Sequence, residues 1–270
     1  MAVPAGAVPI EATLPPGARL LDALAALLDA HGVESAALTL SGGGFGPFAY
    51  VMPALSPDGS QVAFYSQTFR PDGLTALSAA AVTIGTKDGA PFFHCHGVWT
   101  EAGETGCGHV LPGETVVAAP ITARGAGVVG ARFVVTPDPE TGFSLFMPHP
   151  TGTAPPPSAT PALALRLAPN QDLAGALEQA GHQAGFRRAV VQGGVGSINE
   201  ARFTNAPPLA GFATELLVRR GLVRCAAGQG QDTALFVTLV DHTGAIGAGR
   251  LVAGDNPVLM TFECVLERTA

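Results

Sequence analysis

Charge is scarce in this 270-residue chain. Only 13% of its residues are Asp, Glu, Lys or Arg, and 14 basic residues stand against 21 acidic ones for a formal net charge of −7. Residues 1–150 hold 5 Lys/Arg and 12 Asp/Glu, which leaves 9 of each for residues 151–270. Neither half has the basic excess of an electrostatic nucleic-acid binder, and no basic tail or arm is present. Cysteine is rarer still. Cys95, Cys107, Cys225 and Cys264 form no CxxC pair and no disulfide scaffold, which fits a reducing cytoplasm. No apolar run approaches the ~20 residues that span a membrane. The start, MAVPAGAVPIEATLPPG, lacks the positive segment and apolar core of a secretory signal. A soluble cytoplasmic protein with no membrane or nucleic-acid partner is expected. Phosphate-loop signatures are missing as well: Ser41-Gly-Gly-Gly44 runs into Phe45–Tyr50 without opening a helix, so a tight turn or bulge is expected there.

What the chain does have is turns. Thirty-five glycines and 23 prolines imply many short strands, and 47% hydrophobic residues suffice for one large domain or two ordinary ones. Leu20, Ala23, Leu24, Leu27 and Leu28 recur at helical spacing, with Gly32 as a stop. Strand-like stretches follow at Ala36–Leu40, Tyr50–Pro57, Ser60–Phe69, Leu77–Gly85, Pro91–Trp99, Val116–Ile121 and Val128–Thr136. Residues 148–161, PHPTGTAPPPSATP, read as a semi-stiff linker.

Beyond residue 161 the order begins again. Asn170 is placed to cap a helix over Asp172–Gln183, and Ala189–Gln192 runs into a second glycine cluster, Gly193–Gly196. Near the end, Gly244, Gly247, Gly249 and Gly254 repeat Gly103, Gly106, Gly108 and Gly113 at an offset of 141. The expected organisation is therefore a duplicated module: residues 1–147, the linker 148–161, and residues 162–270.

The chemistry concentrates in Pro91–Val116. Residues two apart on a strand share a face, so His94 and His96 lie together and Cys95 points away. A turn centred between Ala102 and Gly103 sets His96 directly opposite His109, with Cβ atoms about 5 Å apart. Three imidazoles with an open fourth position make a catalytic zinc site. Cys107, opposite Val98, is a candidate fourth ligand, though a thiolate there would tend to close the site. In the second copy His94, His96 and His109 become Leu235, Val237 and Arg250, so no second metal site is expected.

The helix ending at His31-Gly32, the glycine-marked strand, the His94-Cys-His96 strand and Gly108-His-Val-Leu resemble the plants-and-prokaryotes-conserved (PPC or PCC) domain, present twice. The resemblance implies an α+β fold, with a strongly bent, mostly antiparallel sheet against a helix, usually in trimers, and a metal held by His94, His96 and His109. A homo-oligomer is expected, a trimer first. The chain lacks the basic AT-hook of the family's plant members. A looser resemblance to acetolactate decarboxylase rests on the same histidine pattern and does not carry that enzyme's substrate.

Two functions follow as expectations. The first is a zinc-type metal-dependent enzyme, a lyase (decarboxylase) or hydrolase acting on a small anionic molecule, a carboxylate or carbonyl compound. Glu114, Glu101 and Glu104 are its candidate acids and bases, and Arg250, Arg220 and Arg224 its candidate anion clamps. The second is a non-catalytic oligomeric protein with a structural metal and a regulatory or protein-binding role. The fourth coordination position separates them: water or substrate for the enzyme, a protein ligand for the structural site.

Overall fold

The computed structural model describes residues 1–59, 61–225 and 233–269. The first half opens with β1 (Ala2–Leu14), α1 (Leu20–His31) and β2 (Ser35–Ser41). Four two-residue strands follow: β3 (Gly44–Phe45), β4 (Tyr50–Val51), β5 (Pro53–Ala54) and β6 (Phe64–Tyr65). Then come β7 (Thr75–Lys87), β8 (Ala90–Glu101), β9 (Glu104–Val110), β10 (Val117–Ala119), β11 (Ile121–Val129), β12 (Ala131–Pro137) and β13 (Ser144–Pro150). The second half is β14 (Thr160–Leu167), α2 (Leu173–Gln183), β15 (Arg188–Ile198), β16 (Thr214–Arg224), β17 (Ala234–Asp241), β18 (Ile246–Arg250) and β19 (Val258–Arg268).

The α+β expectation is corrected. Among the described residues 57% are in strand conformation and 9% in helix, so the fold is mainly β. The helical periodicity was real at two places, but each yields only about three turns. The glycines and prolines elsewhere favour extended chain over helix. Within the described residues, the pairings are antiparallel apart from Val134 against Thr86.

One succession of pairings occurs twice. In the first half β1 pairs β11, β11 pairs β2, β2 pairs β7, β7 pairs β8 and β8 pairs β9. In the second half β14 pairs β19, β19 pairs β15, β15 pairs β16, β16 pairs β17 and β17 pairs β18. The opening strands β1 and β14 pair with each other and join everything into one sheet.

Alternation along the strands explains the layering. On β8, Phe93, Cys95 and Trp99 enter a core with α1, while Val98 enters a different cluster with Leu217 and Val240 of the second half. On β16, Leu216 and Val218 enter the core shared with α2, while Leu217 faces the first half. Each half thus covers one face with its own helix and lays the other against its partner half. The residues that meet between the halves are the even ones of β8 and the odd ones of β16.

Several local expectations shift. Residues 50–69 form only two-residue strands rather than two long ones, and Ser60 lies outside the described residues. The proline-rich stretch 148–161 is irregular only over 151–159, because β13 runs through Pro150 and β14 starts at Thr160. Gly43 has φ +64° and lies so close to the Ala119 and Pro120 carbonyls that a Cβ there would overlap both. The first glycine cluster therefore serves a close backbone approach. Helix α2 is capped by Asp172, whose carboxylate accepts from Gly175 N at 2.7 Å and from Asn256 N at 3.1 Å. Asn170, with φ +65°, only leads into it. Asp172→Ala removes both bonds and is expected to cost about 1 kcal/mol. A denaturant midpoint unchanged from the parent protein would contradict this role.

Candidate metal centre

The register of the histidine hairpin follows from its turn. Ala102 (φ 49°) and Gly103 (φ 88°) occupy a two-residue turn between Glu101 and Glu104, the left-handed geometry that matches strand twist. It places His96 opposite His109. The three rings lie with centroids 4.6 to 5.2 Å apart.

Four ligand atoms converge, and the fourth comes from the other half. His94 Nε2 is 2.9 Å from His96 Nε2, which is 3.3 Å from His109 Nδ1 and 2.5 Å from Glu215 Oε2. All four atoms lie within 4.8 Å of one another. A tetrahedral ion with bonds of about 2.0–2.1 Å sets its ligand atoms about 3.3 Å apart; the three separations from His96 Nε2 are at or inside that spacing, and every pair lies within 4.8 Å. Three histidines and one glutamate grouped in this way can hold a metal ion.

The outer nitrogens are fixed by partners. His96 Nδ1 donates to the Leu216 carbonyl at 2.7 Å, which leaves Nε2 for the cluster. His94 Nδ1 lies 2.8 Å from Glu263 Oε1, with one proton shared between them, and its Nε2 also faces the cluster. Such partners orient imidazoles and raise their basicity toward a metal. Glu263 itself is 1% exposed, and its Oε2 has no hydrogen-bond partner among the described residues.

Electrostatics agree with this geometry. Burial, with His96 nearby, pushes His94 down to about 3, and burial with His94 nearby holds His109 well below the usual histidine range. Both are neutral at pH 7, the form a ligand needs. Burial opposes protonation of His96 too, but Glu215 overcomes it and raises that group. Burial likewise works against the Glu215 carboxylate, yet His96 and its neighbours hold it below the ordinary range. Burial pushes Glu263 up to about 8. Two carboxylates packed against three imidazoles cost several kcal/mol each to desolvate, and a divalent cation is the natural counter-charge.

The remaining sequence candidates lie elsewhere. Glu101 and Glu104 pair at the hairpin tip, about 17 Å along the strand from His96 at about 3.4 Å per residue. Glu114 is exposed and bonded to Arg70 at 2.6 and 2.7 Å, a surface pair. Cys107 sits opposite Val98 but packs into the apolar cluster between the halves, and burial raises its thiol to about 12.

Arg220 and Arg224 are exposed on β16, where a bulge at Val218/Arg220 interrupts the alternation. Arg250 bonds the Thr233 carbonyl and pairs with Phe236, one residue out of the register that His109 has with His96. The second hairpin differs because Asp241 accepts from Thr243 N and Ala245 N and holds a longer turn.

A cavity opens onto the cluster. Its wall includes His94 and Glu215, with Tyr65 and Phe143 from the first half and Leu259 and Met260 from the second. Its enclosed volume is about 50 Å³, and about 480 Å³ is reached only when the open mouth and all the surrounding free space are counted. Arg220, Arg224 and Arg250 are not on its wall among the described residues.

No family model and no curated protein matches the chain. Solved structures do. A metal-containing protein from Archaeoglobus fulgidus is 18% identical and covers 53% of this chain and 94% of its own, with a TM-score of 0.42. A plant- and prokaryote-conserved (PPC) protein from Pyrococcus horikoshii is 20% identical over 53% and 94%, also at 0.42. A proposed DNA-binding protein from Ralstonia eutropha is 21% identical over 51% and 89%, at 0.37. Each matches about half of this chain. The metal centre stands on its own geometry.

Glu215 and Glu263 were missed from sequence because both lie on strands more than 100 residues from the histidines. Glu263→Gln keeps the shape but replaces the carboxyl group that faces His94 Nδ1 with an amide. It is expected to weaken metal affinity about 10- to 100-fold. Competition against a chromogenic chelator measures this, and an affinity equal to that of the parent would reduce Glu263 to packing.

Proposed function

We propose that the chain is a fused pair of PPC-like modules, residues 1–147 and 162–270 joined through 148–161, whose shared centre holds a zinc-type divalent ion. The centre catalyses lyase (decarboxylase) or hydrolase chemistry on a small carboxylate or carbonyl compound. The repeated pairing order and the recurring glycines support the fusion. Assembly with further copies is proposed on the resemblance to the PPC domain.

The observation that carries the catalytic reading is the cavity opening directly onto His94 and Glu215. The donor set points the same way. Structural zinc sites are built mainly from thiolates, and the two cysteines nearest in sequence, Cys95 and Cys107, are turned into apolar clusters. When bound, the ion supplies a Lewis acid for a carbonyl or carboxylate oxygen. His94, His96 and His109 hold that position, and the Leu216 carbonyl and Glu263 keep two of the rings aimed. Glu215 lies on both the cluster and the cavity wall, so its carboxylate oxygen that is not held by the ion would be placed to take a proton from a molecule bound beside it.

One observation favours the second reading, a structural metal in a regulatory or protein-binding protein. Glu215 is a fourth protein donor and comes from the opposite half. Cobalt(II)-loaded protein separates the two readings. A catalytic centre gives weak visible bands that change when acetohydroxamate is titrated in. Intense four-coordinate bands that acetohydroxamate leaves untouched would sink the catalytic reading.

A further inference from the structure

The cavity beside the centre also says what the rest of a ligand must be. A small apolar cluster, separate from the two helix-backed cores, consists of Ala63, Ala213, Leu259 and Met260 with Phe143 against it. Every one of these residues lines the cavity. At the mouth, Phe64 and Tyr65 remain 45% and 40% exposed in a chain with only 6% aromatic residues. The Tyr65 ring stands edge-on to His109 at 5.2 Å and to Phe143 at 6.4 Å. A ligand reaching from the histidines toward the mouth would slide between these rings.

The wall offers nothing ionic away from the histidines and Glu215. Among the described residues it carries no Lys or Arg. Arg166 lies behind it, bonded to Asp138 at 2.8 Å and to the Thr261 hydroxyl at 3.3 Å. Several wall hydroxyls are tied into the fold: Thr261 accepts from Arg166. Thr214 donates to the Ile198 carbonyl and accepts from its N–H, and Ser197 accepts from Met260 N. A second anionic group in the ligand would therefore be buried with no cationic counter-charge on the described wall, whereas hydrocarbon would gain by leaving water.

We propose that the site takes a small molecule with an oxygen-bearing head at His94 and Glu215 and an uncharged, apolar or aromatic tail lying against Phe143, Leu259 and Met260. This rests on the catalytic reading of the metal centre and adds the tail, which that reading leaves open. Dicarboxylates and phosphorylated compounds are expected to bind more weakly than ligands with an uncharged tail.

The test is calorimetric titration of the zinc-loaded protein with three hydroxamates, each corrected for its affinity for free zinc. Acetohydroxamate carries the head alone, benzohydroxamate adds an aromatic tail, and the monohydroxamate of succinic acid adds a charged one. Benzohydroxamate is expected to bind at least tenfold tighter than acetohydroxamate, and the succinic compound weaker than both. If benzohydroxamate gains nothing, or the succinic compound binds as tightly, the proposal is overturned while the metal reading stands. If acetohydroxamate itself does not bind to protein shown to hold zinc, the catalytic reading falls and this proposal with it. Leu145→Arg, at a half-buried position on the cavity rim, keeps the metal content and is expected to reverse the order of the two tailed compounds. An unchanged order in that variant would show that the tail lies elsewhere.

Discussion

The contact between His96 and Glu215 is the constraint on which the rest depends. It joins β8 of one half to β16 of the other beside an apolar cluster of Ala81, Val98, Val195, Leu217 and Val240. A carboxylate can remain there only if cations or donors surround it. Three imidazoles do so, and their own geometry requires that the two halves sit face to face. Behind each half a helix-backed core covers the outer face of the sheet, taking in Phe93 and Cys95 on one side and Leu216 and Phe262 on the other.

The two halves share a pairing order but contribute unlike residues. The first half contributes a His-x-His strand and a two-residue hairpin, and the second contributes the carboxylates Glu215 and Glu263. The second half keeps the pairing order but not the register. The turn held by Asp241 sets Arg250 opposite Phe236, so the position matching His109 no longer faces the position matching His96. One half supplies the nitrogen ligands, and the other supplies the anion, the second partner and much of the cavity wall.

Much of the hairpin was legible in the sequence, because period-two alternation and a turn at Ala102-Gly103 place His94, His96 and His109 on one side. The two helices were legible from their apolar spacing. The helical share of the fold was not, since a resemblance to a sheet-and-helix module says little about how much of a glycine- and proline-rich chain is extended. Glu215 and Glu263 left a faint trace. Each interrupts an apolar strand, TELLV and VLMTFECVL, where a lone carboxylate needs a buried partner. The partner is a property of the packing between halves, which no local pattern encodes. Glu114, adjacent in sequence to the hairpin, was instead drawn to the surface by Arg70.

Metal content decides the central claim most directly. Elemental analysis of the purified protein beside His96→Ala and Glu215→Ala is expected to find about one divalent ion per chain in the parent, little in the first variant and a marked loss in the second. Equal metal content in all three folded proteins, or none in the parent after exposure to zinc, would contradict a centre built by both halves.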